Sequence, residues 1–210
     1  MMKRIGLTQR IDVFKEYNEQ RDSIDRRWYK FFESINCIPF MFPNINEKYF
    51  DEYIHDVALD GLILTGGNTL AAYDHKKNSP SIERDLFEMK LMKYMLKKNL
   101  PIIGVCRGMH LIHTYFGGSL ITLKDHVGTV HPIIPKSYNL SLPETVNSYH
   151  SWGVSPENLP NGFSVLATDN LGNIEAYVNR ELKVLGIMWH PERETPFKVN
   201  DLKLFEGFFR

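Results

Sequence analysis

At 210 residues the chain can enclose one sizeable hydrophobic core, and one domain spanning 1–210 is expected. Hydrophobic residues make up 43% and charged residues 24%, and 25 basic side chains balance 25 acidic ones, so no net field draws it to nucleic acid or an anionic membrane. No apolar run approaches the roughly 20 residues that span a bilayer, and MMKRIGLTQRIDVF lacks a signal peptide's apolar core. The expected compartment is the cytoplasm, where the free thiols of Cys37 and Cys106 persist.

Taken in chain order, KRIGLT (3–8) predicts a first strand, and DSIDRRWYKFFESI (22–35) a helix with Ile24, Trp28, Phe31, Phe32 and Ile35 on one face. CIPFMF (37–42) and DGLILTGG (60–67) predict the next strands, Ser81 to Asn99 a helix, and LPIIGV (100–105) a strand apolar along its whole length. Strands apolar on both faces, alternating with helices, imply a doubly wound, mostly parallel α/β sheet with ligands beyond its carboxyl edge. The second half differs: 128–134, 144–147, 163–168, 173–178 and 183–188 are strand-like, and 201–209 predicts a closing helix. An added antiparallel region is expected there.

Three stretches carry chemistry. In Gly104-Val105-Cys106-Arg107-Gly108 a cysteine sits where an apolar strand should turn into a helix, with a glycine two residues to either side. A nucleophile at such a turn needs small neighbours because backbones crowd there. The free N–H groups at the helix start favour a thiolate. Taken alone, Cys106 could equally be a small buried apolar residue. VLGIMWHPERE (184–194) supplies a partner, because Glu192 lies two residues beyond His190 and can orient its imidazole as a base. Two backbone N–H donors are also needed for the oxyanion of acyl transfer. The N–H of Arg107 and that of Gly67, in LILTGGNTL (62–70), are the candidates.

In this order, TGG (65–67), GVCRG (104–108) and WHPE (189–192) resemble the class I glutamine amidotransferases and related γ-glutamyl hydrolases of the peptidase C26 type, over nearly the whole chain. The resemblance implies a flavodoxin-like fold, a Cys106–His190–Glu192 triad and a γ-glutamyl thioester intermediate. VNSYHSWGV (146–154) and NIEAY (173–177) look like the hydrolase branch, which implies that Tyr149, His150, Ser151 and Trp152 lie beside the glutamyl head. The family's C-x-G-x-Q becomes Cys-Arg-Gly-Met-His here, so His110 replaces a glutamine. Four residues beyond Cys106, it can border the substrate as a polar contact or compete as the base. It has no sequence-local carboxylate, which favours His190. The N-terminal segment 6–32 resembles the γ-glutamyl-CDP-amidate hydrolases of capsular phosphoramidate synthesis. Substrate contacts are therefore expected from Gln9, Arg10 and Asn68, with Arg10 able to hold a diphosphate. The competing view of Arg10, Arg21, Arg26 and Arg27 is a solvated charged stretch. A small γ-glutamyl molecule is the expected substrate, with no cofactor. The alternative is a glutaminase subunit passing ammonia to a partner synthase.

Other features read as structural. Eight histidines show no H-E-x-x-H or comparable ligand spacing, so no metal is expected. His126 and His131 flank a Gly-Thr turn, and a structural role is the favoured one for both. Gly117 and Gly118 read as a helix-ending turn.

Overall fold

The computed structural model describes residues 2–74, 79, 81–136 and 140–210. Strand β1 (Lys3–Thr8) is followed by the antiparallel hairpin β2 (Arg10–Phe14) and β3 (Glu19–Ser23). Helix α1 (Arg27–Ser34), β4 (Cys37–Phe42), the short α2 (Phe50–Ile54) and β5 (Gly61–Leu64) come next. Then follow α3 (Ser81–Lys97), β6 (Ile102–Val105) and α4 (Arg107–Tyr115). The second half comprises β7 (Ile121–Thr122), β8 (Val127–Pro132), β9 (Ile134–Pro135), β10 (Thr145–Tyr149) and β11 (Trp152–Gly153). It closes with β12 (Ser164–Thr168), β13 (Ile174–Asn179), β14 (Val184–Ile187) and α5 (Val199–Phe208).

The central sheet has eight strands in the order β4-β1-β5-β6-β14-β13-β12-β9. From β4 to β14 all neighbours run parallel, and β13, β12 and β9 add antiparallel pairing at one edge. Counted along the chain, the parallel part has the 2-1-3-4-5 order of doubly wound flavodoxin-like sheets. Every residue of β5, β6 and β14 is buried, as apolar strands covered on both faces require. One face packs Trp28, Phe31 and Phe32 of α1 with Phe205 of α5, and the other packs Phe87, Leu91 and Met95 of α3 with Met109 and Ile112 of α4. Among the described residues no helix is long and apolar enough to cross a membrane.

Most expected elements are present within a few residues, but the helix expected over 22–35 begins only at Arg27. Residues 19–23 pair instead with 10–14, turning through Asn18 at φ 49°. The helix start follows from Asp25, whose carboxylate accepts the Arg27 backbone N–H at 3.0 Å. Helix α2 was not expected, since five residues are too few to show a helical period. Gly117, at φ 93°, does end α4, and the Gly118 N–H donates to His113 C=O at 3.0 Å in closing the turn.

Candidate active site

Strands β5, β6 and β14 end side by side, with Leu64 paired to Gly104 and Gly104 to Gly186. The loops after those three strands carry the chemically suggestive residues. Cys106 leaves β6 with φ 51° and ψ −105°, a conformation side chains resist, and α4 begins at the next residue. Its neighbours must be glycine. A Cβ on Gly104 would lie 2.6 Å from the Gly108 backbone, and one on Gly108 would lie 2.0 Å from Leu64 C=O. That crowding is what presses the turn tightly against β5.

His190, at the end of β14, is buried with Glu192 beneath it, and its Nδ1 donates to Glu192 Oε1 at 2.8 Å. That bond leaves Nε2 for the sulfur. Asn147 clamps the backbone of His190 from β10, accepting its N–H at 2.9 Å and donating to its C=O at 2.8 Å. Burial by itself would lower the His190 pKa, but the Glu192 charge and the charge and hydrogen bond of Cys106 outweigh it and push the value up to about 9. The folded value thus exceeds the ordinary 6.5, so the stability His190 contributes is complete below that pH and drains away as pH rises through about 9. In Cys106→Ala the sulfur's contribution disappears, so the imidazole is expected to titrate lower than in wild type. An NMR titration checks this; identical values would mean that His190 does not sense the sulfur.

Beneath the loop after β5 lies a cluster of four charges from α3 and α4. Arg84 and Glu88 are fully buried and paired at 2.9 Å, while Arg107 donates to both Glu88 and Asp85. Arg84 also donates to the carbonyls of Thr65 at 2.8 Å, Gly66 at 3.2 Å and Gly67 at 2.6 Å. With its carbonyls tied down to the guanidinium, this loop is a fixed backbone ledge beside Cys106. A Cβ on Gly66 would stand 2.5 Å from His190 Cε1 and 3.5 Å from Cys106 Cβ, so the ledge touches both. Gly67, at φ 83°, lines the cleft together with Arg107.

The cleft has a volume of about 450 Å³, and Cys106, His190, Gly67, Asn68, His110 and residues 149–152 all lie on its wall. Asn68 spends its side chain on the β2 backbone, accepting from Ile11 N–H at 2.9 Å and donating to Ile11 C=O at 2.8 Å. His110 lies 3.1 Å from the Trp152 carbonyl, and burial pushes its pKa down to about 3. A buried, neutral imidazole without a carboxylate is a poor base, whereas His190 has Glu192 to orient it. Gln9 and Arg10 stand apart from this wall. Arg10 pairs with Asp12 at 2.9 Å and packs over Gly67 beside a second, small crevice. Arg193, which the sequence did not single out, lines both spaces and lies 4.5 Å from the Tyr149 ring centre. Its signal was only its place next to Glu192. Asn147, Arg84, Glu88 and Asp85 were also missed, because their roles exist only through long-range pairing.

A buried cysteine at a strand-to-helix elbow, with a carboxylate-oriented histidine beside it at the end of the neighbouring strand, is an arrangement suited to cysteine-dependent acyl transfer on a glutamine amidotransferase-like fold. The fold agrees: a glutamine amidotransferase from Thermotoga maritima superposes with a TM-score of 0.65 at 17% identity, over 99% of this chain and 84% of that one. The peptidase C26 family matches residues 4–136 and 135–192, and the chain belongs to that family. The gamma-glutamyl-CDP-amidate hydrolase of Campylobacter jejuni is 31% identical over 208 residues, covering 98% of this chain and 96% of that protein. A glutamine-hydrolyzing GMP synthase subunit from Methanospirillum hungatei is 28% identical over 137 residues, 60% of this chain and 67% of that one.

Proposed function

We propose that this protein hydrolyses the γ-glutamyl amide bond of a nucleotide-bearing γ-glutamyl conjugate, γ-glutamyl-CDP-amidate being the best candidate. Cys106 Sγ attacks the γ-carbonyl with its proton held on His190, and the N–H groups of Arg107 and Gly67 hold the oxyanion. The protonated His190 then gives its proton to the departing nitrogen, leaving a glutamyl thioester and cytidine diphosphoramidate. Water, activated by the same imidazole, releases glutamate. The observation that carries this reading is the His190–Glu192 pair at 2.8 Å, set against Cys106 on the cleft wall. Near-full-length similarity to the Campylobacter hydrolase supports the choice of substrate. A second reading, a glutaminase subunit serving a synthase, is supported by the similarity to the GMP synthase subunit.

The test is glutamate release by the purified protein alone from L-glutamine, γ-glutamyl-γ-aminobutyrate and γ-glutamyl-CDP-amidate. Preference for the nucleotide conjugate is expected. Weak turnover of all three that a partner synthase restores would favour the second reading. Arg193 is the cation best placed for the diphosphate, its Nε lying 3.6 Å from Glu192 Oε1, beyond hydrogen-bond reach. Arg193→Ala is expected to raise KM for the nucleotide conjugate by about tenfold or more, the loss of one charge-assisted contact. L-Glutamine should be affected less. An equal effect on both substrates would remove Arg193 from the leaving-group site.

A further inference from the structure

Behind the wall that carries His150, three histidines converge on a buried carboxylate. Glu175, on β13, is 1% exposed, and neither of its oxygens has a hydrogen-bond partner among the described residues. His131 Nε2 and His150 Nε2 each lie 3.8 Å from Glu175 Oε1, too far to hydrogen-bond, and both nitrogens are themselves buried without partners among the described residues. The His126 ring is centred 5.2 Å from each of the other two rings. Its Nε2 faces Asp169 Oδ2 at 3.1 Å.

All three rings are held through Nδ1 in the same way. His126 Nδ1 sits 2.7 Å from Lys124 C=O, His131 Nδ1 3.1 Å from Pro132 C=O, and His150 Nδ1 2.9 Å from Trp152 C=O. Each ring thus has Nδ1 against a carbonyl; the Nε2 atoms of His131 and His150 turn inward toward Glu175, while that of His126 lies against the Asp169 carboxylate. Metal-binding histidines are held in this way, the outer N–H fixing the tautomer and freeing the inner lone pair. The ligand atoms of His126, His131 and Glu175 all fall within 4.8 Å of one another. Tetrahedral ligands at bonds of about 2.0–2.1 Å stand about 3.3 Å apart, so the His131–Glu175 pair at 3.8 Å needs to close by only about half an ångström. His131, whose side chain is 17% exposed, offers the way in.

We infer that His126, His131 and Glu175 form a binding site for a divalent transition metal of the zinc type, distinct from the Cys106–His190–Glu192 triad, with His126 exchanging its Asp169 contact for the ion. The mixed nitrogen and carboxylate donors suit zinc or cobalt rather than calcium or magnesium. Its role is positional: the ion ties β8 and the turn before it to β13, behind the His150 ring that packs against His126.

The purified chain, stripped with a chelator, is to be titrated with Co²⁺ and with Zn²⁺. We expect one equivalent to bind, Co²⁺ to give the visible bands of a tetrahedral nitrogen–oxygen site, and Zn²⁺ to raise the melting temperature. The isosteric Glu175→Gln and the surface-side His131→Ala should each weaken binding by about tenfold or more, while Cys106→Ala binds as wild type. Absence of stoichiometric binding would overturn the proposal. So would undiminished binding by both E175Q and H131A, or loss of binding in C106A, which would put the metal on the triad.

Discussion

Replacing Cys106 with alanine is expected to cut glutamate release by about a thousandfold or more, because no other group on the cleft wall can form the thioester. The fold should survive. The side chain contributes little to the core, but the backbone at φ 51° is a burden for any residue with a Cβ. Glycine lifts that burden. Cys106→Gly should therefore be as inactive as Cys106→Ala yet more stable by about 1 kcal/mol, a difference that denaturant melts resolve. Turnover by either variant above a tenth of wild type would remove Cys106 as nucleophile. Greater stability of the alanine variant would show that the turn is not strained at this position.

Arg84 is the second position where a large effect is expected. Its pKa is pushed down to about 10 by burial and by Arg107, so it remains charged near neutrality, when it bonds Glu88 and three loop carbonyls. Arg84→Met leaves Glu88 with Arg107 and the Thr8 hydroxyl and strands those carbonyls. Breaking such a buried set costs about 3–5 kcal/mol. Arg84→Lys separates scaffold from catalysis: it keeps the charge, but one ammonium cannot span Glu88 and the ledge of 65–67. We expect R84K to fold and to retain alkylation of Cys106 by iodoacetamide, with kcat lowered about tenfold or more as the oxyanion donors lose their placement. A lysine variant with full kcat would mean that the ledge holds its shape without the guanidinium.

The sequence made the candidate site's cysteine and histidine–glutamate pair legible because each part announces itself locally. An apolar strand running into Gly-x-Cys-x-Gly is a turn only small residues allow, and His190 with Glu192 two residues on is a pair in any extended chain. The parallel sheet could be read for the same reason, since β5, β6 and β14 are apolar throughout. What stayed hidden depends on pairing across the fold. Glu19–Ser23 carries no apolar stripe, since only Ile11 of its hairpin is buried, so the segment looked like the approach to a helix. Arg84 and Glu88 looked like any surface i,i+4 pair on an amphipathic helix until Arg107 and the 65–67 carbonyls came down on them. The histidine cluster draws on residues 126, 131 and 175, which share no spacing that a motif could capture.

Strand β14 lies directly against β6, though its residues come some eighty positions later in the chain, as the pairing of Ile102 with Val184 shows. During synthesis the cysteine elbow is therefore made long before His190 joins the chain. Until β14 inserts, Cys106 has no His190 beside it, so on the proposed mechanism a partly made or partly folded chain cannot attack a γ-glutamyl amide. Reactivity arrives with the last strand of the sheet, so chemical competence doubles as a signal that the fold is finished.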